Sequence, residues 1–183
     1  MAALLLFCAM LVPSSPASAI KPAIENDRVS VWDVTDLKAG WPLDSVVIAL
    51  SGEARFVAAG TPLKIAGRCF TINLKTSPVA PIENTSGYPL AFPRPGSKKL
   101  LENSRVVVWD YAWQPGVPTP MHFHDKDVVV LFLEDGDLES TTPDGKSVVN
   151  QYTSATVRFA ARNRIHRETL LRGKQRAIIT ELK

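Results

Sequence analysis

Histidine is scarce in this chain. Only three of its 183 residues are histidine, and none precedes position 122. Cysteine is scarcer, with only Cys8 and Cys69. If an N-terminal leader is removed, Cys69 stands alone and no internal disulfide can form. No Gly-x-Ser-x-Gly, P-loop or dinucleotide fingerprint occurs, which removes the nucleophile-elbow and phosphate-cradling readings. No apolar run is long enough for a membrane-spanning helix. The net charge is only +3, and lysine and arginine are scattered. The nearest thing to a basic patch is Arg158, Arg162, Arg164, Arg167 and Arg172, read as a solvated edge or loop rather than a nucleic-acid surface. No long amphipathic helical pattern is present.

The chain opens on an apolar run, Ala2 to Val12, followed by Pro13-Ser14-Ser15-Pro16 and the small-residue pattern Ala17-Ser18-Ala19. This reads as a secretory leader over 1–19, although no lysine or arginine precedes the run. The expected location is periplasmic or secreted. The remaining residues suffice for a sizeable core in one or two small domains.

Those residues repeat themselves. Glu25-Asn26-Asp27-Arg28-Val29-Ser30-Val31-Trp32-Asp33 matches Glu102-Asn103-Ser104-Arg105-Val106-Val107-Val108-Trp109-Asp110. Val46 to Gly52 resembles Val130 to Gly136, Arg55-Phe56 matches Arg158-Phe159, and Arg68 to Lys75 parallels Arg176 to Lys183. Four blocks in one order point to duplication. The blocks are rich in Val, Ile, Phe and Trp and are bounded by Gly, Pro, Asp and Asn, so they read as short strands. Pro143-Asp144-Gly145-Lys146 reads as a hairpin turn. The expected class is all-β, a sandwich or barrel. Five prolines between 76 and 99 rule out a central strand there, so this stretch reads as a linker that Tyr88, Leu90 and Phe92 pack down. The expected organisation is a first half over 20–75, the Pro-rich linker over 76–99 and a second half over 100–183.

All three histidines fall in the second half. Residues two apart in a strand share a face, so His122 and His124 aim at one point, and His166 on another strand can close a metal site. Gly116, His122, His124 and Gly136 fit the first motif of the cupin superfamily, G-x5-H-x-H-x(3–4)-E-x6-G, and His166 fits the second, G-x5-P-x-G-x2-H-x3-N. The chain resembles that family over its second half and, through the repeat, over its first. Its departures are specific. Val129, with Val128 beside it, stands at the glutamate position. Ala155, Ala161, Asn163 and Leu170 replace other motif residues.

The resemblance implies a jelly-roll β-barrel, duplicated as in bicupins, with His122, His124 and His166 holding one divalent transition metal ion per chain (Fe, Mn, Zn, Ni or Cu). Leu63 stands at the position of His166 in the first half, which is expected to be a cupin half without metal. Glu168, two residues after His166, and Asp127, two before Val129, are the candidates for a fourth ligand or a catalytic base. A surface ion pair with Arg167 or Lys126 is the competing reading for each. Tyr111 and Trp113 are expected in the core or lining a pocket. Phe123, on the face opposite the histidines, is expected in the core. Asp33 and Asp110, shared by both halves, are read as structural, and Cys69 as a buried small residue. The nearly apolar run from Asp127 to Glu134 reads as a strand buried on both faces, against the other half or a second subunit of a homodimer. The functional expectation is a metal-dependent enzyme, dioxygenase-type as a first guess, acting on a small oxygenated or carboxylate molecule. The alternative is a module that binds a small ligand or a structural metal without turnover.

Overall fold

A computed structural model describes residues 21–36 and 40–183, so the leader reading over 1–19 lies outside the described residues. The described residues form strands and no helix. The first half contributes β1 (Ile24–Glu25), β2 (Val29–Thr35), β3 (Ser45–Ala49), β4 (Ala54–Val57) and β5 (Arg68–Leu74). The second contributes β6 (Lys98–Glu102), β7 (Val106–Trp113), β8 (His122–His124), β9 (Asp127–Phe132), β10 (Gly136–Thr141), β11 (Ser147–Tyr152), β12 (Val157–Ala160), β13 (Arg164–Gly173) and β14 (Gln175–Leu182). The all-β expectation holds, and the architecture is a jelly roll of the cupin type. Gly145, with φ of +83°, turns β10 into β11 at the hairpin read from the sequence.

Each half builds a five-stranded antiparallel sheet with the same strand order. The first runs β1-β2-β5-β3-β4, and the second β6-β7-β14-β9-β12. The pairings coincide as well. Val29 faces Leu74 as Val106 faces Leu182, and Asp33–Arg68 recurs as Asp110–Arg176, both ion pairs with N–O distances under 3 Å. The two shared aspartates are therefore structural, as read. One block aligns differently. Ala49 pairs with Cys69 as Phe132 pairs with Ala177, so β3 matches β9 one residue earlier than the Gly52–Gly136 match implies. The turn after β9 is one residue longer, and that extra residue restores the glycine match.

Among the described residues the second half alone has the other wall of a barrel, a four-stranded sheet in the order β11-β10-β13-β8. The first half has no counterpart of it among the described residues. Leu63 instead folds over the sheet with Val47, Val57 and Cys69 as a small separate cluster.

The layers follow from strand alternation. One face of each large sheet packs on the other, joining Val29, Val31, Ile48, Phe70 and Ile72 to Val106, Val108, Val129, Leu131 and Ile178. The opposite face of the second sheet lines the barrel with Val107, Trp109, Trp113, Val128, Phe132, Ala177 and Ile179, against Leu138 and Leu170 of the small sheet. The run 127–132 is thus buried on both faces by the chain itself. The Pro-rich stretch runs along the edge of the small sheet: Ala91 donates its N–H to the Phe123 carbonyl at 2.9 Å, and Phe123 returns one to Pro89 at 2.8 Å. Phe92 is buried, stacked on Trp109, but Leu90 points outward at 40% exposure and anchors nothing.

Candidate metal centre

β8 and β13 pair antiparallel at the barrel's small sheet, with His122 opposite His166 and Arg164 opposite His124. Alternation places His122 and His124 inward and sends Phe123, also buried, to the other face. Along β13 the same rule sets Arg164, His166 and Glu168 on the inner face. All three imidazoles are buried, and one nitrogen from each lies within 4.8 Å of the others.

Hydrogen bonds orient two of the rings. His122 Nδ1 lies 2.8 Å from the Pro120 carbonyl, which can only accept, so Nδ1 carries the proton and Nε2 presents its lone pair inward. His166 Nδ1 meets the Ser140 hydroxyl at 2.9 Å. His124 Nε2 and His166 Nε2 face each other at 3.0 Å, while His124 Nδ1 is buried without a partner. With metal–nitrogen bonds of about 2.1 Å, two ligands at a right angle would sit about 3.0 Å apart. The donor set therefore fits a transition metal ion, and the contacts of His122 and His166 are of the kind that orient metal-binding imidazoles.

The electrostatics keep the donors unprotonated. Burial lowers His122 to about 4, helped by the Arg94 charge and opposed by Glu168. Burial also lowers His124, with Arg164 adding to it. His166 is lowered by burial against the pull of Glu168. Imidazoles that remain neutral at pH 7 are competent ligands.

The two candidate carboxylates separate. Glu168 lines the cavity beside His124 and His166. Its Oε2 accepts from Trp113 Nε1 at 3.1 Å and lies 3.5 Å from an Arg94 nitrogen. Burial would raise its pKa, but the charge of Arg94, reinforced by the neighbouring histidines and Trp113, holds it below the usual carboxylate value. The structure does not bring Asp127 to the histidines. It points to the sheet interface with Val129, pairs with Arg28 at 3.3 Å and accepts the Arg162 N–H at 2.9 Å. Sharing a face with Val129 is what takes it away, because the cavity-lining residue is Val128. The glutamate position of the motif that the sequence resembles thus falls, on the cavity side, at Val128, a side chain with no ligating atom.

The cavity measures about 180 Å³. Trp113 belongs to its lining, whereas Tyr111 packs under Arg94, 4.0 Å from the guanidinium carbon to the ring centroid. Three arginines reach the cavity that sequence reasoning did not place there: Arg94, Arg158 and Arg164. Arg94 comes from the Pro-rich stretch and puts a guanidinium nitrogen 3.5 Å from His122 Nε2. Arg158 and Arg164 belong to the group read as a solvated edge: Arg158 and Arg167 are exposed and Arg172 pairs with Asp137 at the surface, as read, whereas Arg162 and Arg164 are half-buried, and Arg158 and Arg164 also line the cavity. The alternation Arg164-x-His166-x-Glu168 was the available signal for Arg164. Nothing local marked Arg94.

The motif departures also have a backbone meaning. Ala155 and Asn163 stand where the second motif has glycines, and both adopt positive φ, 66° and 64°. The conformation that favours glycine is retained without it.

No protein-family model matches the chain. The β-alanine degradation protein BauB of Pseudomonas aeruginosa is 38% identical over 60 residues, which is 33% of this chain and 59% of that protein. The chain thus matches under two thirds of that relative. Among solved structures, AerE of Microcystis aeruginosa aligns with a TM-score of 0.53 at 12% identity, covering 89% of this chain and 96% of that one. A cupin 2 conserved barrel domain protein of Leptotrichia buccalis aligns with a TM-score of 0.50 at 12% identity, covering 94% and 92%. At this identity the likeness is one of fold, and it extends over both halves of the chain.

Proposed function

We propose that the protein is a metal-dependent cupin enzyme whose single site is held by His122, His124 and His166. The observation that carries this reading is the convergence of three buried imidazoles, lowered in pKa, two of which, His124 and His166, line a cavity. A transition metal there would supply a Lewis acid with positions left open for a substrate oxygen. The protein's own groups supply the rest. Glu168, ionised and fixed by Trp113, is placed to accept a proton from a bound molecule. Phe92, Phe132 and Ile179 keep the cavity apolar around it. Arg94 balances Glu168 and holds the wall behind His122.

The substrate read from this cavity is a small oxygenated or carboxylate-bearing molecule, with dioxygenase-type chemistry as the first reaction to assay. The name of the β-alanine degradation relative, which refers to the breakdown of a small amino acid, is in keeping with that size and class. We read the chain as a shortened bicupin whose first half serves as a sheet-on-sheet support. Export to the periplasm or medium is proposed on residues 1–19 alone.

The test is cobalt substitution of the purified protein, followed by visible spectroscopy with small organic acids. A d–d spectrum that shifts on adding an acid, and that is lost in His122→Ala, is the expected result. A spectrum that no acid perturbs would favour a closed, non-catalytic metal site, and absence of bound cobalt would reject the reading.

A further inference from the structure

We propose that Arg158 and Arg164 form a carboxylate-reading pair, so that the ligand of this cavity is a small organic acid bound by its anionic group and not merely by a metal. The inference deepens the metal-centre reading and rests on it for the site's location. The two arginines arrive from opposite walls. Arg164 lies on the inner face of β13, two residues before His166, and Arg158 lies on β12 opposite Val130 of β9. Both line the cavity with Ser140, Asn150 and Tyr152.

Their present partners are neutral. Arg158 reaches the Tyr152 hydroxyl at 3.2 Å and Asn150 Oδ1 at 3.5 Å. Arg164 donates through Nε to the Ala161 carbonyl at 2.7 Å. Among the described residues no carboxylate lies within ion-pair distance of either. Glu168 is the only acid in the cavity lining, and it is engaged by Arg94 and Trp113. The lining therefore carries three guanidinium groups against one carboxylate before any metal is counted. A planar guanidinium fork matches a carboxylate, and uncompensated positive charge lining a cleft selects an anion over its neutral isostere. The cavity volume is about 180 Å³. That space accommodates a short-chain acid.

The experiment titrates metal-loaded wild-type protein with acetate, oxalate, malonate and succinate, and with malonamide as the uncharged control, following binding by isothermal titration calorimetry and measuring metal content in parallel. At least one acid is expected to bind, and malonamide is expected to bind more weakly. Arg158→Gln and Arg164→Gln should each weaken that acid roughly ten- to a hundredfold with metal content unchanged. Arg158→Lys should recover part of the loss. Because Arg158 is exposed, its substitution decides the matter even if Arg164→Gln fails to fold. Equal binding of malonate and malonamide, no binding of any acid, or acid binding indifferent to Arg158 would overturn the proposal. Acid binding that depends on the arginines in a protein that carries no metal would support it while rejecting the metal reading.

Discussion

At the scale of single residues, protonation and backbone conformation make the sharpest predictions. His122 titrates near 6.5 when unfolded and at about 4 in the fold, because burial disfavours its charged form. Between those values the unfolded chain binds a proton that the native chain does not. The stabilisation is therefore complete above the unfolded pKa and is lost as pH falls through the folded one, on the order of 3 kcal/mol from this group. His166 and Glu168, also lowered, act in the same direction. The urea midpoint of metal-free protein should fall between pH 7 and pH 4, and a flat profile would contradict the burial account. Ala155, at φ of 66°, should gain about 0.5–1 kcal/mol on substitution by glycine, read as a higher denaturation midpoint. Arg94→Met would leave Glu168 without its counter-charge and should cost on the order of 3 kcal/mol while raising the Glu168 pKa. Here the sequence was partly legible. The spacing of the three histidines was sufficient, because alternation in a strand is rigid. The face of Asp127 was not, because one residue of uncertainty about which valine replaced the glutamate inverts the side chain's direction.

At the scale of elements, β13 does the most for the site. It carries Arg164, His166 and Glu168 on one face, and its pairing with β8 sets the distance between the imidazoles. The individual strands were readable from apolar runs and turn residues. The edge pairing of residues 89–91 with Phe123 was not, since prolines hide a segment that pairs through only a few of its backbone groups. The support sheet of the first half has a separable role. Phe70 is buried between the two large sheets, away from the cavity. Phe70→Ala should cost about 3–5 kcal/mol yet leave metal affinity of the folded fraction unchanged. A parallel loss of metal affinity, measured by competition with a chelator below the unfolding transition, would mean that the sheet interface shapes the site directly.

At the scale of the whole molecule, the repeat predicts its own asymmetry. Both halves build the same large sheet, but among the described residues only the second builds the small one that carries the histidines. The duplication was visible as four matching blocks. That the first half keeps one wall and drops the other was only partly visible, because missing strands leave no residues to read. On the proposed reading its consequence is one metal site per chain, while in the first half Leu63 packs with Val47, Val57 and Cys69. The most direct measurement is anomalous X-ray scattering from crystals of the protein grown with its metal. The account predicts one anomalous peak per chain, bonded to His122, His124 and His166. No peak at that position, or a peak held by other residues, would contradict it.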